Sequence, residues 1–516
     1  MNRFKSILLT GAVLSTLLGA CSYEDKTTYA GDPLPEIKID TVGIPANLIV
    51  YREDTLILKP SVSREGNPDK KFDYEWRITL EPGSDFQKAK TIGTEETLKY
   101  AINELPDVNP YQLWYRVTDQ VTGLMESIMW KVTVDASSGQ GLVVATTKDE
   151  KTTDFSIVQD SLFTGYYYEK GTTNVLPTSY RYNYFSKQNN GKTLEGVVKW
   201  LFAQPRLYKG RSTYMLHGAS KHNLFRMNSI NYELIMEGKE NFYDPFFDID
   251  VDFYALIGKG TYTSAVLSNK GRLFGLPRES TWQKNMSKFG VDLEGTYKTN
   301  SMVSEYSKLV WFEPETGLFQ ICDAAISSYT SAPVPYTQGM DNQGRPVGFD
   351  LSKMKGAKQM AAGQGRNEHC FIIENEGKVG LYCLTKSWDP PYNPSRMIDI
   401  NDAPGIREAT SFVFTVNEDV IFYSVGSEVR AIIFSSGRPK YVTVYNAGEE
   451  IGFLEMLKQT GEKYVPYHQK CLLVMTAGQN GKIHALKLGN SNTGEYRDVT
   501  ILDGFDGRIT AVAVQD

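Results

Sequence analysis

Several things are scarce in this chain of 516 residues. Cysteine and histidine number five each, which leaves few side chains for thiol, metal or imidazole chemistry. No G-x-S-x-G elbow, H-E-x-x-H pair, phosphate loop or C-x-x-C motif occurs, so the enzyme classes that these motifs mark receive no support. No block of Lys or Arg is present, and 55 basic against 61 acidic residues give a formal net charge of −6. Without a basic patch there is no electrostatic attraction to phosphate, and nucleic acid is excluded as a partner. No apolar run reaches the roughly 20 residues that a membrane-spanning helix needs. What is plentiful is aromatic: 12% of the chain, including 31 Tyr, in an otherwise globular balance of 41% apolar and 22% charged residues.

The N-terminus is an address. Asn2-Arg3-Phe4-Lys5 is basic, and Ile7 to Ala20 is mostly apolar but too short to span a bilayer, which is the pattern of a secretory signal. Leu18-Gly19-Ala20-Cys21 resembles the lipobox of bacterial lipoproteins. The resemblance implies cleavage after Ala20 and lipidation of Cys21, so residues 1–20 are expected to be the signal peptide and acyl chains to anchor the mature protein. Glu24 and Asp25 lie just behind the Cys and look like the acidic signal that sends lipoproteins of Bacteroidetes to the outer face of the outer membrane. Residues 21–35, polar with Gly and Pro, read as a flexible tether.

From residue 36 to 135 the pattern is period-two. Ile37-Lys38-Ile39, Leu56-Ile57-Leu58, Phe72 to Trp76, Tyr111 to Val117 and Ile128 to Val134 each alternate an inward and an outward face, as in a two-sheet β-sandwich. Trp76 stands where an immunoglobulin-like core buries a large ring. Tyr115-Arg116-Val117-Thr118-Asp119, with Thr122-Gly123 after it, resembles the hairpin of PKD domains, in which the Asp caps the turn before the last strand. No cysteine lies in this segment, in keeping with PKD rather than antibody-like sandwiches. It is read as a spacer, with a ligand-binding module as the alternative.

Residues 136–141 form a small polar linker, and residues 142–516 contain almost no amphipathic helix. One element recurs there at intervals of about 50 residues: an apolar strand, a Gly- or Asn-marked turn and a second apolar strand. The seven instances are Leu142 to Val158, Tyr214 to Met227, Ala265 to Leu276, Leu309 to Ile321, Cys370 to Cys383, Val420 to Ile433 and Leu472 to Leu486. A strong inner hairpin plus two less regular outer strands makes a blade of a β-propeller, so the expected fold is all-β: a sandwich followed by a propeller of seven blades, with six or eight as neighbouring counts. Closure is expected to pair Gly507 to Val514 with the first blade, because an open ring would expose two sheet edges.

Lipobox, PKD-like sandwich and propeller together resemble the PKD-like surface lipoproteins of Bacteroidetes that accompany SusC/SusD-type outer-membrane nutrient importers. The resemblance implies a cell-surface, outer-membrane lipoprotein that is an accessory of a nutrient-uptake transporter complex handling oligopeptide or oligosaccharide, and it does not by itself imply catalysis; the leading expectation is a non-catalytic component that binds or retains the nutrient or docks to the transporter. The competing expectation is a propeller hydrolase or lyase that trims the same nutrients. It would need acid–base residues gathered at the central channel, and five scattered histidines give it little.

Aromatic clusters are the main ligand candidates. Tyr166-Tyr167-Tyr168 and the Pro-bounded loop carrying Trp388 and Tyr392 fall between hairpins, where propeller loops surface and can stack on a sugar or an apolar side chain; sealing a blade junction is the alternative role. Asp248, Asp250 and Asp252 alternate with Ile249 and Val251 at strand spacing. On a channel face they would bind a cation such as calcium or the amino groups of a peptide, and on a solvent face they are ordinary surface acids; no other cofactor is expected. With Cys21 assigned to lipid, Cys322, Cys370, Cys383 and Cys471 remain. A two-residue turn at Glu376-Gly377 places Cys370 opposite Cys383, which allows a disulfide in an exported chain, although cross-strand bridges are uncommon and two buried thiols are the expected state.

Overall fold

The computed structural model describes residues 36–516 except 53–54, 65–70, 81–85, 105–108, 136–138, 170–171, 209–210, 244–246, 258–263, 277–286, 291–292, 294, 300, 306–307, 324–331, 388, 436–437, 462 and 491–492. The expected signal peptide, Cys21, the tether and Trp388 therefore lie outside the described residues. The described residues divide into two compact units, the first ending at Asp135 and the second following it. No described helix is long and apolar enough to cross a membrane.

The first unit is a β-sandwich. Its larger sheet runs in the order Asn47–Tyr51, Met125–Asp135, Tyr111–Asp119, Phe72–Thr79, Lys90–Gly93. The edge strand Asn47–Tyr51 lies parallel to its neighbour, with Ile49 beside Thr133, and the other pairs are antiparallel. Alternation does the work: Tyr111, Leu113, Tyr115 and Val117 point inward while the residues between them reach the surface. Trp76 is fully buried, with its ring 4.1 Å from Tyr115 and 5.7 Å from Trp130, and its indole N–H donates to the Glu95 carbonyl at 2.8 Å. Asp119 Oδ1 accepts the N–H groups of Val121 and Thr122, while its other oxygen meets Arg64 at 2.8 Å. Burial opposes ionisation of this carboxylate, yet those two N–H donors and Arg64 hold its pKa below the usual range.

The second unit is a β-propeller. Among the described residues it holds seven antiparallel sheets. The strands Trp200–Tyr208, Val251–Ile257, Met302–Glu305, Lys358–Gln364, Ser411–Phe414, Ile451–Met456 and Arg508–Gln515 are innermost, each touching the next and the last touching the first, so the circuit is closed. Closure comes from the C-terminal strand, which pairs with Gly141–Thr147 at Val143–Ala513 and Ala145–Ala511, as the sequence predicts.

Counted outward from the innermost strand, the recurring hairpins supply the second and third strands of each sheet, not its inner side. In the sheet Lys358–Gln364, Glu368–Asn375, Lys378–Thr385, Pro394–Asp399, the hairpin supplies the second and third strands. These middle strands are covered on both faces by neighbouring sheets, and Cys471–Thr476 is buried at every position; that is why they read as continuous apolar runs. The innermost strands, such as KQMAAGQ at Lys358–Gln364, have a weaker apolar signature. Paired positive φ at Lys270 and Gly271 and at Glu376 and Gly377 makes the two-residue turns match the right-handed twist of the strands. Apolar clusters fill the gaps between sheets; Val310, Phe312 and Phe319 of one, for example, interlock with Phe371, Ile373 and Tyr382 of the next.

Candidate functional site

The loop that carries Tyr166 leaves the strand Thr152–Gln159 and is fixed at its base. Asp160 accepts the Leu162 N–H at 2.9 Å and the Thr178 hydroxyl at 2.5 Å, so both ends of the loop share one carboxylate. Leu162 and Phe163 are buried in the cluster between the last and first sheets. Gln140 ties this loop to another: its Oε1 accepts the Gly165 N–H at 2.8 Å, and its Nε2 donates to the Tyr464 carbonyl at 3.0 Å. A Cβ at Gly165 would stand 2.6 Å from that same carbonyl, so only glycine fits.

Beyond this anchor the chain turns outward. Tyr166 has φ of 55°, a region that a bulky side chain occupies at a cost of about 1–3 kcal/mol, and it is 85% exposed. Its ring lies 6.4 Å from that of Tyr464, itself 58% exposed. Tyr168 and Val175, joined by a β-bridge, and Leu176 extend the exposed apolar surface. Of the three consecutive tyrosines, Tyr167 faces inward: it is half-buried, and its hydroxyl donates to the Pro177 carbonyl at 3.0 Å. Burial, then Asp160, pushes its phenol pKa up. The result is a firmly based platform of phenol rings whose chemistry is stacking and hydroxyl hydrogen bonding. Tyr464 escapes a motif search, yet it stands in a loop of the last blade, Lys463-Tyr464-Val465-Pro466-Tyr467, and closure brings that loop beside the first blade.

Of the three acids near residue 250, Asp250 and Asp252 meet at Lys221 while Asp248 stands apart. The strand begins at Val251, so Asp248 and Asp250 lie on the approach to it and only Asp252 within it. Lys221 Nζ sits 2.7 Å from Asp250 and 3.4 Å from Asp252 and donates to the Val251 carbonyl at 3.1 Å; an ammonium thus occupies the place where the sequence reading allowed a bound cation. That contact lowers the pKa of Asp250 and raises that of Lys221. Asp252 also accepts the Gly271 N–H at 2.9 Å. Asp248 is apart, 3.4 Å from Lys239, on the lining of an open cleft of about 640 Å³ together with Glu195, Glu237 and His222.

Tyr392 is a seal rather than a ligand platform. It is 7% exposed in the core between two neighbouring sheets, its ring lies 5.7 Å from Tyr336, and its carbonyl accepts the Thr337 N–H at 2.8 Å. Past this loop opens a polar cleft of about 360 Å³, lined by Glu368, Thr385, Lys386, Ser395, Arg396 and Asp419. Arg396 donates to Glu368 Oε2 from Nε at 3.0 Å and from Nη2 at 2.8 Å, and the Ser395 hydroxyl donates to Oε1. Cys370 and Cys383 stand opposite each other in the register expected from the turn, as free thiols with sulfurs 3.5 Å apart and both side chains fully buried. The contact with Cys370 and then burial push the Cys383 thiol up.

The histidines are tied into the fold. His369 is buried, and burial, with Lys386 nearby, lowers its pKa to about 3. His484 Nδ1 lies 2.7 Å from the Tyr445 hydroxyl, His217 Nδ1 lies 3.4 Å from that of Tyr254, His222 Nδ1 lies 3.2 Å from the Ile249 carbonyl, and His468 Nδ1 accepts the Gln459 N–H.

In sequence, no curated protein matches the chain. Among solved structures it is similar to a quinonprotein alcohol dehydrogenase-like protein from Bacteroides thetaiotaomicron, 11% identical over 93% of this chain and 98% of that one with a TM-score of 0.42. It is also similar to a periplasmic gluconolactonase from Pseudomonas aeruginosa, 9% identical over 73% of this chain and 98% of that one with a TM-score of 0.42. A third is a putative 6-phosphogluconolactonase from Bacteroides fragilis, 10% identical over 74% and 99% with a TM-score of 0.38. Residues 21–196 match the model of the PKD-like family, a segment that takes in the β-sandwich and runs on into the first blade of the propeller.

Proposed function

We propose that this protein is a lipoprotein of the outer-membrane surface, anchored through Cys21, that serves as a non-catalytic accessory of a SusC/SusD-type uptake system. It captures or retains an oligosaccharide or oligopeptide nutrient on the propeller. The observation that carries this reading is the exposed pair Tyr166 and Tyr464, held on braced loops with Tyr166 in a strained backbone conformation. A strained, solvent-facing aromatic contributes nothing to packing, whereas tyrosine is a preferred contact residue in binding surfaces. The PKD-like match agrees with the PKD part of the family resemblance from which the surface assignment is drawn, and the structural engagement of the described histidines supports a binding role over hydrolysis or lysis.

The test is binding by the purified chain to panels of oligosaccharides and oligopeptides, with Tyr166→Ala and Tyr464→Ala alongside. Retention of one class, weakened about tenfold by either substitution, supports the reading; cleavage of any panel member during incubation would replace it with the hydrolase or lyase. Cys21→Ala should move the protein from the membrane to the soluble fraction. Capture of the lipidated protein from native membranes should bring an outer-membrane transporter with it.

A further inference from the structure

Cys370 and Cys383 are set by the geometry of their hairpin. Asn375 and Lys378 close the turn, and alternate pairs outward from it exchange backbone hydrogen bonds. Counting outward, Cys370 and Cys383 form one of the intervening non-bonded pairs, where opposed side chains approach most closely. Glu368 is two residues before Cys370 and so lies on the same face of its strand. One ligand atom from each of the three residues lies within 4.8 Å of the other two.

The spacing of the sulfurs fits a shared metal ion. With zinc–sulfur bonds of about 2.3 Å, the observed 3.5 Å between the thiols corresponds to an S–Zn–S angle of roughly 100°, close to tetrahedral. The surroundings match as well. The two sulfurs sit in an apolar cluster that keeps competing water away, while Glu368 opens onto the polar cleft, which offers an entry path. Arg396 and Ser395 already hold both oxygens of Glu368, in the manner of groups that orient a ligating carboxylate. A divalent ion together with Arg396 balances two thiolates and one carboxylate, so the loaded site carries no net charge.

We propose that Glu368, Cys370 and Cys383 form a binding site for zinc, the two sulfurs and one carboxylate oxygen serving as ligands and the fourth position facing the Arg396 cleft. Binding converts both thiols to thiolates and releases their two protons to solvent, with no change of oxidation state.

The experiment uses the full chain, reduced and stripped of metal, titrated with Co²⁺ and then Zn²⁺. Expected are thiolate-to-cobalt charge-transfer absorption with intense tetrahedral visible bands, displacement of cobalt by zinc, and release of two protons per metal. Cys370→Ser combined with Cys383→Ser should abolish the absorption. Glu368→Gln, which leaves both thiols and the apolar core intact, should weaken cobalt affinity about tenfold or more. Absence of thiolate–cobalt absorption in the reduced chain, its persistence in the double variant, or an unchanged affinity in Glu368→Gln would each overturn the proposal. So would a Cys370–Cys383 disulfide in the protein as isolated from cells.

Discussion

Tyr232 donates its phenolic hydrogen to Gln515 Oε1 at 2.9 Å, a buried bond between residues 283 positions apart. Gln515 in turn donates from Nε2 to the Gly139 carbonyl at 2.8 Å, so the last strand of the chain is held from the second blade and from the start of the propeller at once. Arg508, at the other end of that strand, forms an ion pair with Glu150. The ring is therefore closed by a backbone ladder with a side-chain latch at each end.

Tyr232→Phe keeps the ring but removes the donor to a buried amide oxygen, a loss worth about 1–3 kcal/mol. The melting temperature of the propeller should fall by a few degrees, as read by calorimetry. Removing residues 508–516 should do far more, because it bares the edge of Gly141–Thr147, and gel filtration should then show association.

Tyr166 separates stability from binding. Glycine adopts a φ of 55° without the clash that Cβ brings, so Tyr166→Gly should keep or slightly raise the melting temperature while weakening ligand capture about tenfold. Loss of both together would make the residue a packing element.

His369 makes the propeller sensitive to acid. Its pKa in the folded chain is about 3, below the roughly 6.5 of an unfolded chain, so between these values only the unfolded state takes up its proton. Stability that is fully present above pH 6.5 is lost as the pH falls towards 3, at up to about 1.4 kcal/mol per pH unit from this group. His484 shifts in the same direction. Denaturant melts of His369→Leu should show a shallower decline below pH 6.5 than the parent.

Lys221 bridges Asp250 and Asp252 at the surface, and its removal should cost about 1 kcal/mol or less, with the difference shrinking at high salt. Millimolar calcium should leave the parent melting temperature unchanged, because an ammonium already fills the position. Lys221→Met, which frees both carboxylates, should create a calcium-dependent rise.

Much of the candidate site follows from its residues taken singly. Tyr166 and Tyr168 were expected at a loop surface and stand there, and the Glu376-Gly377 turn alone sets Cys370 against Cys383. Tyr392 belongs to the same residue class as Tyr166 and has the opposite fate, since its exposure depends on Tyr336 of the neighbouring sheet. The acids at 248, 250 and 252 mislead for a similar reason: the position of Lys221 is set by a different strand pair, out of reach of local spacing.

By itself, the sequence determined the all-β architecture, the recurrence of hairpins and the closing strand, because apolar periodicity and turn chemistry are local and act over a few residues. Only the tertiary structure decided which aromatic rings stay in solvent, that Tyr464 joins Tyr166, and that Glu368 meets the paired thiols beside Arg396. Those outcomes depend on which sheet lies next to which, and on how side chains far apart in the chain fill the space between them.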